Sequence, residues 1–278
     1  MRRALDDWDG GLSIGGRKLS NLRYADDTTL LATNAKELKT LLLRVKAASE
    51  AMGLRLNVSK TKIMTIGSDG NEDPIIVDGD EVEQVTQFNF LGALITSNGG
   101  CSIELRRRIA LAKSAMVGLK KIWADRGITK ATKKRLVSAL VFPIATYGCE
   151  SWTLTKSDQG RINSFEMWCW RRMLGISWTM KRTNTSVLEE VQPANRLLSF
   201  VRSQMLSYFG HVARRDGESL EKVIMQGRVE GKRKRGRPRT RWMDQIKSMA
   251  GCPLSELYIL ARDRQEWRSV VAVASCQP

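Results

Sequence analysis

The chain has 278 residues, enough for one large domain or two smaller ones with a buried core. Hydrophobic residues make up 42% and charged residues 27%, which excludes a chain that is disordered throughout. The 46 Lys and Arg against 29 Asp and Glu give a net charge of +17, and this surplus predicts a polyanionic partner, most commonly nucleic acid.

The five cysteines are scattered and form no C-x-x-C pair, which excludes a dense disulfide framework and the usual structural zinc sites. The acidic start, MRRALDDWDGG, lacks the apolar core of a signal peptide. A long uncharged run, Leu136–Cys149, has only 14 residues and contains a proline. We therefore expect an intracellular protein that is neither secreted nor membrane-spanning.

The charge is unevenly distributed along the chain. Residues 1–100 carry 12 basic and 14 acidic side chains, whereas the remainder carries 34 basic and 15 acidic ones. A near-neutral first part is therefore joined to a strongly basic second part, which indicates a division of labour between them.

Short strands and one helix are predicted for the first hundred residues. The predicted elements are a hairpin over Asn21–Ala32, a helix over Ala35–Met52 ended by Gly53, a strand over Leu54–Ile66, and short strands at Ile75–Val77 and Phe88–Thr96 beside a turn at Asp78–Asp80.

Helical periodicity dominates from Ser102 onward. Helices are predicted over Ser102–Arg126, from a Thr129 cap through Tyr147 with a kink at Pro143, and over Ile162–Leu174, Ser186–Arg215, Arg239–Ala250 and Leu254–Val273. The Gly- and Pro-containing basic stretch 227–238 is predicted to be an exposed linker.

The motif Tyr24-Ala25-Asp26-Asp27 lies between the two apolar segments of the predicted hairpin. Adjacent carboxylates repel each other unless a cation lies between them. Mg²⁺ prefers such oxygen ligands and often takes only one or two protein carboxylates, with water and substrate phosphate completing its shell. An Asp-Asp turn that merely faces water has the same spacing, so the motif alone leaves both interpretations open.

The surrounding sequence resembles the reverse transcriptases of non-LTR (LINE-type) retrotransposons. The stretch NLRYADDTTLLATNAKELKTLLLRVKAASEAMGLRLNVSKTKIM is similar to the second half of their polymerase palm, and FNFLGALIT is similar to the primer-grip hairpin. The similarity continues through LVSALVFPIATYGCESW, FEMWCWRRMLGI, YFGHVARR and GRPRTRWMD, which resemble the thumb and C-terminal region of the RTE/BovB-like branch. The resemblance extends from about Gly10 to Trp267.

The resemblance implies specific roles for residues of the motif. Asp26 would be a shared ligand of catalytic Mg²⁺ ions, with Asp27 as its companion, and Tyr24 would lie on the nucleotide side. Lys60 would approach the triphosphate and protonate pyrophosphate, with Lys62 as a second candidate; a solvated lysine at position 60 is the alternative. The implied partners are an RNA template, a DNA primer and deoxynucleoside triphosphates.

The sequence also departs from this family's pattern. Its members place a further metal-ligating aspartate and a Gln-Gly segment well before the YADD motif, whereas here 23 residues precede Tyr24. Asp6, Asp7 and Asp9 lie in that lead, but nothing around them resembles the missing strand. We therefore expect a truncated RNA-directed DNA polymerase that is inactive alone; a noncatalytic basic nucleic-acid-binding protein and a decayed reading frame are the alternatives.

Basic residues of the first two predicted helices of the second part are candidates for phosphate contacts along a primer–template duplex. The candidates are Arg106, Arg107, Lys113, Lys120 and Lys134, with Arg108 and Lys133 beside them. A solvated helix surface is the alternative interpretation.

The segment Arg233–Arg239 (RKRGRPR) has three interpretations. Arg235, Arg237 and Arg239 with the intervening Gly and Pro fit an A·T minor-groove hook, a nuclear-import signal, or an unspecific basic linker. We favour the linker, although all three would bind polyanions.

Tryptophans cluster around FEMWCWRRML and include Trp152, Trp168, Trp170 and Trp178. Aromatic rings beside arginines can stack on unpaired bases, but at helical spacing they more often form core. The single histidine, His211, has no cysteine at ligand spacing and is expected to be structural.

Together these observations predict an α+β fold. It would comprise half a polymerase palm with the primer-grip-like hairpin at residues 1–98, a helical thumb-like region at 99–155, and a basic helical C-terminal region at 156–278.

Overall fold

Two units make up the chain, and each has its own internal contacts. In the computed structural model, residues 5, 7–67, 74–215, 219–227 and 240–275 are described. The first unit comprises Met1–Phe88, Thr96–Gly99 and Arg215–Arg237. The second unit comprises Asn89–Ile95, Gly100–Arg214 and Pro238–Pro278.

Ten short strands pair two by two within the described residues. They are β1 (Leu12–Ile14), β2 (Arg17–Leu19), β3 (Asn21–Tyr24), β4 (Asp27–Leu30), β5 (Lys62–Ile63), β6 (Ile76–Val77), β7 (Asp80–Glu81), β8 (Glu83–Gln84), β9 (Gln87–Phe90) and β10 (Ala93–Thr96). The pairs β1–β2, β3–β4, β6–β7 and β9–β10 join chain neighbours, and β5 pairs in parallel with β8.

Turn residues explain two of these hairpins. Asp78 and Gly79 have φ angles of +56° and +90° between β6 and β7, and Leu91 and Gly92 have +48° and +78° between β9 and β10. Positive φ at both turn positions matches the twist of the flanking strands. The predicted Asp-Gly turn is confirmed. The single strand that periodicity predicted over Phe88–Thr96 is wrong, because the Leu91-Gly92 turn divides this segment, FNFLGALIT, into a hairpin such as the resemblance implied.

Helix α1 (Ala35–Glu50) supplies the apolar face of the first unit. Asn34 caps it by accepting a hydrogen bond from the backbone N–H of Glu37, and Gly53 with φ +75° follows its end. The residues of the core beneath the strands are Leu42, Ile63, Ile75, Val77 and Val82, with Leu30, Leu38, Leu56 and Val58 packed against them. The long strand predicted over Leu54–Ile66 is wrong, since only Lys62–Ile63 is extended in a ladder and Val58–Lys60 forms a 3₁₀ turn.

The second unit is almost entirely helical. Its helices are α2 (Ser102–Gly118), α3 (Lys120–Ala124), α4 (Lys130–Leu136), α5 (Phe142–Ala145), α6 (Lys156–Leu174), α7 (Asn184–Val191), α8 (Leu197–Ala213), α10 (Trp242–Ala250), α11 (Leu254–Leu260) and α12 (Arg264–Ser275); α9 (Leu220–Met225) belongs to the first unit.

Several helices are shorter than the periodicity predicted. The helix predicted over Ser186–Arg215 is two helices, because Gln192 adopts a left-handed conformation with φ +46° and Pro193 follows it. The predicted Thr129 cap is confirmed by its bond from the N–H of Thr132. The predicted kink near Pro143 takes the form of a π-helical segment, Val137–Val141, in which the N–H of Phe142 bonds to the carbonyl of Val137.

Asp158 joins two helices of the second unit. Its carboxylate is fully buried and accepts hydrogen bonds from the Ser102 hydroxyl at 2.7 Å, from the Thr155 hydroxyl at 2.7 Å and from the Thr155 N–H at 3.1 Å. Arg161 adds an ion pair at 2.9 Å. The start of α2 and the first turn of α6 are thereby held by one carboxylate.

We predict an acid-labile contribution from Asp158. Burial alone would raise the pKa of this carboxyl, but the hydrogen bonds from Thr155 and Ser102 outweigh it and lower the pKa below 3.8. A lowered folded-state pKa gives stability that is complete above the unfolded pKa, about 4, and is lost as the pH falls further. Urea unfolding monitored by tryptophan fluorescence at descending pH should show this loss. The Asp158→Asn variant should be less stable than the original chain at neutral pH, and its free energy of unfolding should depend less on pH. An unchanged profile in Asp158→Asn would contradict the assignment.

The secondary-structure content is mixed, with small sheets first and helices afterwards, as the α+β prediction required. Within the described ranges, no helix is both long and apolar enough to cross a membrane.

Candidate functional site

The YADD motif forms the tip of the β3–β4 hairpin. Tyr24 pairs with Asp27, so Ala25 and Asp26 form a two-residue turn. Ala25 has φ +51°, a region that a residue with a Cβ enters at a cost of about 1–3 kcal/mol. The side chains of Asp26 and Asp27 are both exposed, and Tyr24 is 64% exposed. The turn therefore presents two neighbouring carboxylates at one exposed tip.

The base of this hairpin is fixed to the first unit. Leu30 at the end of β4 packs against the core cluster around Leu42, and the N–H of Leu31 continues the ladder by donating to the carbonyl of Ser20 at 2.7 Å. Anchoring at the base and exposure at the tip place the carboxylates where a partner molecule can reach them.

Glu37 is the first acidic residue after the hairpin in the sequence, and its carboxylate is used in hydrogen bonds within the first unit. Its carboxylate accepts hydrogen bonds from the N–H of Thr33 at 2.8 Å and from the N–H of Gly11 at 2.5 Å. The Thr33 hydroxyl donates to the same carboxylate, and this bond is the main cause of the lowered pKa of Glu37. This carboxylate joins the β1 segment to the start of α1.

The described acidic side chains do not complete a metal site. Over these residues, no group of three or more His, Cys, Asp or Glu lies close enough together to hold a metal ion. Two carboxylates can hold one Mg²⁺ with water and phosphate, but a two-ion site needs more oxygen ligands than Asp26 and Asp27 supply. The residues present therefore do not fit a two-metal centre by themselves.

The two candidate lysines have different surroundings. Lys60 ends the 3₁₀ turn that Asn57 caps, and its side chain is exposed. Lys62 on β5 forms an ion pair with Glu83 on β8. Of these two lysines, only Lys62 forms an ion pair with a described residue.

The second hairpin turn, Leu91-Gly92, is held by cationic and aromatic side chains of its unit. The Gly92 carbonyl accepts hydrogen bonds from Arg107 at 2.8 Å and from Arg108. The Tyr147 hydroxyl donates to the Leu91 carbonyl at 2.8 Å, and the Arg108 guanidinium lies 4.3 Å from the centre of the Tyr147 ring. The turn that resembles a primer grip is thus fixed by α2 and by the segment after α5.

Glu104 holds these two arginines in place. It is 3% exposed, accepts a hydrogen bond from Arg108 at 2.6 Å and forms an ion pair with Arg107 at 3.1 Å. The roles of Glu104 and Tyr147 were not predicted from the sequence, although the spacing of Glu104 to Arg107 and Arg108 is that of helical ion pairs.

The predicted phosphate-contacting residues divide into two groups. Arg107 uses its guanidinium on the Gly92 turn, and Lys134 donates to the carbonyls of Val191 and Gln192 at the end of α7. Arg106, Lys113 and Lys120 are exposed.

Three other predicted candidates, Arg235, Arg237 and Arg239, lie outside the described residues.

The tryptophans are not one cluster. Trp152 and Trp170 are buried, at 3% and 1% exposure, as the core interpretation predicted, whereas Trp178 is 89% exposed. Trp168 is half-buried, with Lys113 and Arg172 at 5.5 and 5.4 Å from its ring. His211 lies on an exposed position of α8.

Comparison with known proteins relates part of the chain to one protein family. Residues 1–95, which include the YADD hairpin and α1, match the family described as reverse transcriptase (RNA-dependent DNA polymerase). The chain is also similar to an uncharacterized transposon-derived protein of Caenorhabditis elegans, with 28% identity over 276 residues, 94% of this chain and 98% of the relative. No solved structure matches the chain. The first third is therefore reverse-transcriptase-like within a chain similar to a transposon-derived protein.

Proposed function

We propose that these 278 residues carry the second half of an RNA-directed DNA polymerase of a non-LTR retrotransposon, with the YADD hairpin as half of its metal site. The observation that carries the proposal is the exposed Asp26–Asp27 pair at a fixed hairpin tip inside the segment that matches reverse transcriptase. The later motifs resembling the RTE/BovB branch support the finer assignment.

In this proposal each residue of the motif has a distinct role. Asp26 and Asp27 would supply carboxylate oxygens to Mg²⁺, and Tyr24 would border the nucleotide. Lys60 forms no ion pair with a described residue, whereas Lys62 pairs with Glu83, and this suits Lys60 better to approach a triphosphate. The partners would be an RNA template, a DNA primer and deoxynucleoside triphosphates.

We further propose that this polypeptide alone does not polymerise DNA. Over the described residues, Asp26 and Asp27 have no further acidic group beside them, and two carboxylates supply too few oxygen ligands for two Mg²⁺ ions.

The experiment is primer extension on an RNA template with Mg²⁺. The purified chain should give no product, and a separately supplied polypeptide bearing the upstream aspartate strand of a related reverse transcriptase should restore extension. Asp26→Ala should abolish the restored activity, whereas Asp80→Ala, a matched exposed aspartate beside another hairpin turn, should not. Extension by the chain alone that Asp26→Ala removes would overturn the proposed inactivity.

A noncatalytic nucleic-acid-binding role is the second candidate, favoured by the concentration of positive charge after residue 100. It predicts salt-sensitive binding that survives Asp26→Ala and no extension in any combination.

A further inference from the structure

A groove between α2 and α6, within the second unit, is separate from the YADD hairpin. Its volume is about 650 Å³. The residues that line it include Arg106, Lys113, Ser157, Gly160, Arg161 and Trp168. Three cations, a hydroxyl and an aromatic ring therefore converge on one concave surface.

The cations of this groove keep donors available. Arg106 is exposed and uses its Nε on the carbonyl of Ser102 at 3.2 Å, which leaves the terminal nitrogens of its guanidinium. Arg161 forms an ion pair with the buried Asp158 through Nη1, while its side chain is 43% exposed. Lys113 is exposed and lies 5.5 Å from the centre of the Trp168 ring. An anion in the groove would meet positive charge on both helices.

Trp168 gives the groove its apolar wall. Its ring stacks on that of Phe165, which also lines the groove, with centroids 6.3 Å apart and an interplanar angle of 21°. Gly160 leaves the floor open, because a Cβ built there meets no atom within 4 Å.

We propose that this groove binds single-stranded nucleic acid, with phosphates on Arg106, Lys113 and Arg161 and a base against Trp168. Positive charge that follows the backbone together with an aromatic surface for bases is how single strands are bound without sequence preference. The volume falls in the range of small-ligand pockets. The site adds to the proposed polymerase role and does not depend on it.

The first test is fluorescence anisotropy of the whole chain with labelled oligouridylate and oligothymidylate. Trp168→Ala should raise the Kd about tenfold, since stacking on one base typically contributes that much. Arg106→Gln with Lys113→Gln should raise the Kd and lower the slope of log Kd against log salt concentration by about 1.4. Lys36→Gln with Lys39→Gln, which removes the same charge from exposed positions of α1, should change neither.

The Gly160→Leu variant shows whether affinity is lost because the groove is blocked or because the protein unfolds. Leucine favours helix, and its Cβ would meet no atom within 4 Å, so the variant should keep its fold by circular dichroism while losing affinity about tenfold or more. Ultraviolet crosslinking should place oligouridylate on the peptide that contains Trp168.

Several outcomes would overturn the proposal. Unchanged Kd values in both Trp168→Ala and Gly160→Leu would do so, as would an equal loss in Trp178→Ala, the exposed tryptophan outside the groove. The proposal would also be excluded if Gly160→Leu weakened the binding of polyglutamate or of duplex DNA but left the binding of single strands unchanged. Since none of these readouts uses primer extension, the outcome is independent of the polymerase proposal.

Discussion

Glu104→Ala should destabilise the second unit by about 3–5 kcal/mol, the range found when one partner of a buried ion pair is removed. The substitution leaves Arg108, which is 8% exposed, without its carboxylate and frees Arg107 from its ion pair. Both arginines hold the Gly92 carbonyl, so the Leu91-Gly92 turn should loosen with them. Urea unfolding followed by tryptophan fluorescence measures this, because every tryptophan except Trp8 lies in the second unit.

Glu189→Ala is the matched control, since Glu189 is an exposed helical glutamate of the same unit. It should change the free energy of unfolding by less than about 0.5 kcal/mol. A double-mutant cycle with Arg108→Met should show that the two losses are not additive, because the two side chains act on each other. Equal stabilities of Glu104→Ala and Glu189→Ala would refute the role assigned to Glu104.

Trp267→Ala should cost about 3–5 kcal/mol of folding free energy, as large-to-small substitutions of buried aromatic residues do. Trp267 on α12 is 3% exposed and donates from its indole Nε1 to the Leu206 carbonyl at 3.0 Å. Its ring packs against Phe209 with centroids 5.3 Å apart. Alanine would leave a cavity between α8 and α12, and the thermal midpoint of the second unit measures the loss.

A substitution at Gly210 on α8 tests the contact between α8 and Trp267 independently. A Cβ at Gly210 would lie 2.9 Å from Cε2 of Trp267 and nearer still to other ring atoms, so Gly210→Ala should cost about 1–3 kcal/mol by overpacking. Trp178→Ala is the control, because that side chain is 89% exposed and its loss should leave the midpoint unchanged. A stable Trp267→Ala variant would exclude this α8–α12 contact as a main source of stability.

Local sequence was sufficient where one residue type decides the conformation. Thr129 caps its helix as predicted, Gly53 follows the end of α1 as predicted, and Asp78-Gly79 forms the predicted turn. Gln192 shows the limit of this reasoning. Its left-handed conformation ends α7, and the only local signal for this break is the proline that follows it, which the helix predicted over Ser186–Arg215 ran through.

The candidate site was predictable only in part. The YADD residues could be recognised because the motif is contiguous, and the structure puts Asp26 and Asp27 on an exposed turn. The use of Arg107 on the Gly92 carbonyl could not be foreseen, because 15 residues separate the two groups. A count of basic residues treats every arginine as free for phosphate, whereas packing decides which ones are.

Sequence by itself determined the change from short strands to helices near residue 100, the excess of basic residues after that position, and the adjacent carboxylates at Asp26 and Asp27. These are properties of composition and of contacts between near neighbours in the chain. Tertiary structure alone decided that Glu104 fixes the Leu91-Gly92 turn through Arg107 and Arg108, and that Trp168 meets Lys113 across two helices. Such contacts join residues distant in sequence, and they form only when burial of the apolar helix faces brings those residues together.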